Sequence, residues 1–91
     1  MNTVVLPLFK RAREFGYIIW KKENDGDIRL LLGQVKKIEV IINGTLIGIK
    51  NIDWKYRRIA ITYTLTRSLP KDTSKINLTT DSKGRLLVRF S

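Results

Sequence analysis

The chain has no cysteine, no histidine, only two prolines, one methionine, and eight acidic residues against eighteen Lys and Arg. Each shortage closes a class of chemistry. Without cysteine there is no disulfide framework, no thiolate nucleophile and no structural zinc of the thiolate kind. Without histidine the usual general base and the imidazole metal ligand are gone. Ser68, Ser74, Ser82 and Ser91 have no nearby base to activate them. No apolar run approaches the ~20 residues of a membrane span. "MNTVVLPLF" has no cation ahead of its short apolar patch and no small-residue cleavage site, so it does not read as a signal peptide. The expectation is a soluble, cytoplasmic chain with no cofactor, no catalytic metal and no membrane partner.

What is present in excess is positive charge. The formal balance is +10 over 91 residues, of which 43% are hydrophobic. That length and composition suit one globular domain with a modest core. A surplus of this size raises the local concentration of polyanions, nucleic acid being the commonest. It also keeps a protein soluble without any partner at all.

Along the chain, "PLFKRAREFG" reads as an N-terminal helix over residues 6–16. Pro7 suits a first helical position and Gly16 a left-handed cap. Leu8, Ala12 and Phe15 share one face. Lys10, Arg11 and Arg13 fall on a solvated arc. "YIIWKK" reads as a strand ending in an "ENDGD" turn. "DIRLLLG" fits a helical turn or a strand, and with Asp27 as cap and Gly33 as stop it is read as a second short helix near residues 27–33. In "KKIEVIINGTLIGIKNI", Asn43-Gly44 between two β-rich runs predicts a two-residue hairpin. That register puts Ile38, Val40, Ile47 and Ile49 on one buried side. "DWKYRRIAITYTLTR" reads as one long strand, with Ile59, Ile61, Tyr63 and Leu65 pointing one way. "SLPKDTSK" is a loop, and "INLTTDSKGRLLVRF" a closing hairpin. A three-residue loop at Asp81 to Lys83 aligns Ile76 and Leu78 with Val88 and Leu86, leaving Arg85, Leu87 and Arg89 outward. The predicted architecture is mainly β: one short helix on a twisted antiparallel sheet of five or six strands spanning 17–91. It is rolled or barrel-like, of SH3, Sm or OB size.

Three constellations bear on chemistry. "ENDGD" fails as a helical calcium loop, because aligning Gly26 at position six puts Lys21 at one and Leu32 at twelve. Asp53-x-Lys55, with Glu39 as a second carboxylate, has the acid–lysine spacing of many metal-dependent nucleases. Such triplets arise readily by chance in a lysine-rich chain. A small ribonuclease toxin working with Arg57, Arg58 and Tyr63 is a related reading. The third constellation is the densest. Trp54 and Tyr56 are interleaved with Lys55, Arg57 and Arg58: rings that stack on bases beside planar forks that grip phosphate. Lys36 and Lys37 add point charges, and Arg85 and Arg89 extend the cationic set. Against this, a tryptophan in a small barrel commonly packs inside, and Trp20 is the expected core tryptophan.

"VIINGTLIG" followed by "IDWKYRRIAI" resembles, at the level of fold only, the strand–Gly–strand–Gly–Asp framework of Sm-like RNA-binding proteins. The spacing departs by one residue between Gly44 and Gly48 and again between Gly48 and Asp53, and the second half of that signature is absent. No family is assigned. The function expected from the sequence is a small, non-enzymatic nucleic-acid-binding module. It would contact DNA or RNA through Trp54, Lys55, Tyr56, Arg57, Arg58, Lys36, Lys37, Arg85 and Arg89. The alternative is a protein-interaction subunit of a phage, mobile-element or ribonucleoprotein assembly. A protein partner and a homo-oligomer stay open.

Overall fold

The computed structural model describes residues 3–91; Met1 and Asn2, which open the "MNTVVLPLF" stretch, lie outside them. In chain order the elements are β1 (Val4–Pro7), α1 (Lys10–Phe15), β2 (Tyr17–Ile19), a 3-10 turn (Lys22–Asn24) and α2 (Asp25–Leu32). There follow β3 (Lys37–Ile42), β4 (Thr45–Asp53), β5 (Arg58–Ala60), α3 (Tyr63–Arg67), β6 (Lys75–Thr80) and β7 (Leu86–Phe90). The strands lie in the order β1-β6-β7-β3-β4-β5-β2 and nearly close into a barrel. The sheet is mixed rather than antiparallel throughout, because β3 and β7 run parallel with Val40 beside Leu86. The mainly β, barrel-like class read from the sequence is the class observed.

The N-terminal helix starts later than its proline suggested. Val4 and Leu6 are buried in β1 against Leu78 and Ile76, and Pro7 closes that edge strand. An edge strand can hold proline because one of its N–H rows has no partner to lose. Helix α1 keeps Gly16 as its left-handed cap and buries Ala12, but Phe15 stands exposed. Arg13 is not part of a solvated face: its guanidinium donates to the carbonyls of Leu69, Pro70 and Thr73. It staples the loop after α3 to α1.

"ENDGD" is not a hairpin turn but the entrance to α2. Asp25 and Asp27 sit in the first helical turn, where the exposed N–H groups and the helix dipole favour carboxylates. Ile28, Leu31 and Leu32 form the buried face, and Gly33 ends the helix.

The hairpin at Asn43-Gly44 forms as a two-residue turn, both residues taking positive φ (49° and 85°) as that turn demands. Ile42 faces Thr45 and Ile41 faces Leu46. Beyond that the register slips: Val40 faces Gly48, so Ile47 is an extra residue on β4. A bulge inverts which side the following residues occupy. Ile47 is therefore only half-buried, and Ile49, expected inside, is 66% exposed. Ile38, Val40 and Ile42 are buried as expected.

The expected long strand is broken. After β4 the chain turns through Trp54–Arg57, forms only three residues of β5, and enters α3. Ile59 and Ile61 are buried, but Tyr63 projects to solvent. The β-branched "YTLTR" becomes a helix because of what it meets. Gly16 lies against the Thr62–Tyr63 backbone so closely that a Cβ there would overlap Tyr63 N and Thr62 C. The fully buried Thr66 hydroxyl donates to the Arg13 carbonyl at 2.6 Å. Tertiary contact overrides the strand propensity of such residues, which is a weak prior.

In the last hairpin Thr80 faces Leu86 and Leu78 faces Val88, so the loop spans five residues rather than three. The Asp81 carboxylate closes it by accepting from the Lys83 and Arg85 backbone N–H groups. The slip is two residues and the side-chain period is two, so the faces survive. Ile76, Leu78, Leu86 and Val88 are all buried. No helix among the described residues is long and apolar enough to cross a membrane.

Candidate nucleic-acid interface

The turn between β4 and β5 is built by Asp53, whose carboxylate accepts the Tyr56 N–H at 2.9 Å. A short side-chain acceptor of this kind substitutes for a backbone turn. Trp54, next in the chain, is neither a core residue nor a free platform. Its Nε1 donates to the Val35 carbonyl at 2.8 Å, and its ring meets Trp20 edge-on at 5.8 Å with an interplanar angle of 73°. Trp20 is 2% exposed and donates its own Nε1 to Asp25 at 2.8 Å. The half-buried Trp54 is thus a rim residue standing on the core tryptophan.

Beside it opens a groove of about 550 Å³ lined by Lys36, Lys37, Asn51, Ile52, Asp53, Trp54 and Lys55. Four of the residues expected at the interface, Lys36, Lys37, Trp54 and Lys55, converge here. None of the three lysines makes an ion pair with another described residue. Trp54 also lines a smaller recess with Arg29 and Gln34. Lys37 also lines a second groove of about 510 Å³, with Lys83, Arg85 and the exposed apolar residues Val35 and Ile49.

The arginines are deployed differently. Arg57 takes a left-handed backbone (φ 55°), and its Nε reaches both oxygens of Asp25 at 3.0 Å. Arg85 donates to Asp81 at 2.6 Å. Arg58 lies 3.8 Å from Asp53, with its guanidinium 4.8 Å from the Tyr17 ring and 5.4 Å from the Tyr56 ring. Arg89 stands on β7 opposite Asn77, away from the lysine groove.

Two carboxylates answer these cations. Burial pushes Asp25 up, but hydrogen bonds from Trp20 and Arg57 and the charges of Arg57 and Arg29 hold it below its ordinary value of 3.8. The Arg85 backbone N–H leads the same effect on Asp81, with the Arg85 side chain and Lys83 N–H adding to it against some desolvation. These acids are committed to partners.

The nuclease constellation is not assembled. Glu39 faces Ile49 on β4, four residues from Asp53, which is about 13 Å of strand. Asp53 itself is occupied by Tyr56 N–H and Arg58. Among the described residues no three His, Cys, Asp or Glu come together. Nor are the ribonuclease candidates gathered: Arg57 turns to Asp25, while Tyr63 stands on α3 beneath Arg67.

Asn51 also lines the lysine groove, a position that the sequence alone does not single out. Tyr17 was within reach of the alternation in "YIIW", which puts it on the face opposite the buried Ile18. Phe15, expected on the core face of α1 with Ala12, is 55% exposed instead.

The fold thus defines a small, mainly β domain with a nearly closed seven-stranded sheet and a lysine groove at the β4–β5 turn. No family model, no curated protein and no solved structure matches the chain.

Proposed function

We propose that the chain is a non-enzymatic nucleic-acid-binding module that holds a phosphate backbone in the Lys36, Lys37 and Lys55 groove. The observation that carries this reading is the convergence of three lysines, none in an ion pair among the described residues, on one groove walled by a tryptophan. Charges not neutralised by a carboxylate retain their attraction for an external anion, and a groove focuses that field. Arg57 and Arg85 contribute less than their number suggests, because each already faces a carboxylate. Asn51, on the groove wall, offers both a donor and an acceptor to whatever the backbone carries. A cytoplasmic location goes with this reading, since a cysteine-free chain suits a reducing compartment.

The test is a salt titration of binding to fluorescent single- and double-stranded DNA and RNA, followed by anisotropy. Each phosphate contact releases counterions, so log affinity falls linearly with log salt, by about 0.7–0.9 per contact. The triple variant Lys36→Ala, Lys37→Ala, Lys55→Ala is expected to lower that slope by about 2 and weaken binding to every sequence. Absence of binding below ~0.1 mM at physiological salt would sink the reading, since nonspecific binders do better.

A second reading is favoured by the other groove. Val35 and Ile49 are exposed there between Lys37, Lys83 and Arg85, which suits an acidic, partly apolar segment of a protein partner. Under that reading the triple lysine variant loses a protein complex rather than a nucleic-acid one.

A further inference from the structure

The turn that carries Lys55 continues into a cluster of rings that the core does not use. Tyr56 is 61% exposed and Phe15 55% exposed, and neither belongs to the apolar cluster inside the barrel. Four elements bring them together. Tyr56 sits in the β4–β5 turn, Arg58 opens β5, Tyr17 opens β2 beside it, and Phe15 closes α1. The Arg58 guanidinium lies over both the Tyr17 and Tyr56 rings, at 4.8 and 5.4 Å, and Phe15 follows Tyr17 at 6.4 Å, tilted by 40°. The Lys55 ammonium lies 5.4 Å from the Tyr56 ring. Neither the Tyr17 nor the Tyr56 hydroxyl hydrogen-bonds within the described residues.

From this arrangement we infer that Tyr56, Arg58 and Tyr17 form a stacking platform for unpaired bases, so that the ligand is single-stranded nucleic acid rather than duplex. The inference rests on the nucleic-acid reading above and deepens it. Exposed rings leave apolar surface in water, and that surface is covered when a base lies on it. Every base has a π-face, whereas the faces of bases in a duplex are already stacked on their neighbours. Guanidinium planes stack on bases as rings do. Arg58 is also positioned in advance: Asp53 and two rings hold it, so less side-chain freedom is lost when a base arrives. Lys55 links the two features, since it lines the phosphate groove and belongs to the ring cluster. A strand whose phosphates follow the lysines therefore meets the rings with its bases.

The experiment compares three fluorescein-labelled probes of equal length and charge per strand. They are a twelve-residue oligothymidylate, the same oligomer with abasic sites at every position, and a duplex of twelve base pairs. The expected result is that oligothymidylate binds at least about tenfold more tightly than the abasic oligomer, and more tightly than the duplex. Tyr56→Ala should remove most of that difference while leaving the salt slope unchanged, and Tyr56→Phe, which keeps the ring, should restore it. Because Tyr56 is exposed, both variants are expected to melt with the parent protein, which circular dichroism checks. If abasic and duplex probes bind as tightly as oligothymidylate, or Tyr56→Ala keeps the preference, the platform is overturned and phosphate binding stands. If no probe binds, both readings fall together.

Discussion

Asp25 and Arg57, thirty-two positions apart in the chain, meet in a two-oxygen contact at 3.0 Å, and the same carboxylate accepts the Trp20 indole N–H. One acid at the start of α2 thereby ties the exit of β2 to the β4–β5 turn. Arg57 has a left-handed backbone, and its carbonyl accepts the Trp20 N–H at 3.1 Å. Arg57, a candidate phosphate ligand by its sequence neighbourhood, commits its Nε to that carboxylate.

Stability should depend on pH in the acid range. Asp25 and Asp81 are both held below 3.8 in the folded chain. A carboxylate depressed on folding contributes stability that is present above its unfolded value and lost as pH falls through the folded one. The urea midpoint is therefore expected to hold near neutrality and drop below about pH 4. The double variant Asp25→Asn, Asp81→Asn should start lower at neutral pH and fall less on acidification. A drop as steep as the parent's would mean that other carboxylates are responsible.

Arg57 separates backbone from side-chain effects. Its φ of 55° is a conformation that costs an ordinary residue ~1–2 kcal/mol and glycine almost nothing. Arg57→Ala loses the Asp25 contact and keeps the backbone cost. Arg57→Gly loses the same contact but relieves that cost, so it should be the more stable of the two by about 1 kcal/mol in urea unfolding. Ordinarily glycine is the worse substitution, so the order itself is the readout.

Gly16→Ala is expected to damage the fold more than its size suggests. The position has φ 72°, and the added methyl would run into backbone atoms of Tyr63 and Thr62 rather than a movable side chain. The loss should exceed the ~1–2 kcal/mol of the left-handed conformation alone. Gly44→Ala is the control: it has φ 85° with open space around it, so it should cost the conformational part only. Equal losses at the two sites would mean that α3 moves aside.

Much of this protein was legible wherever a feature depends on a few neighbouring residues. Asn43-Gly44 supplies two positive φ values in a row, so the hairpin follows from the dipeptide. Gly16 ends α1 and Gly33 ends α2 for the same reason, and the burial of Ile59, Ile61 and Trp20 follows from apolar patterning. In the last hairpin the observed register differs by two residues from the one that the apolar pattern predicts, and the buried faces are the same, because alternation survives an even slip.

Other features needed partners distant in sequence. Ile49 went outward because a bulge at Ile47 and Gly48 inserts an odd residue, which local alternation does not announce. "YTLTR" became α3 because Gly16 and Arg13, some fifty positions earlier, receive its backbone and the Thr66 hydroxyl. The site divides in the same way. The sequence by itself determined that a run of cations and rings sits at Trp54–Arg58 and that its charge is unbalanced. Only the tertiary structure decided which of those charges meet a carboxylate. Arg57 and Arg85 found carboxylates, Lys36 and Lys37 came to lie beside Lys55, and Tyr17 arrived next to Arg58. Backbone preference belongs to a residue and its immediate neighbours, whereas a charge is spent or kept according to what the folded chain carries to within a few ångströms of it.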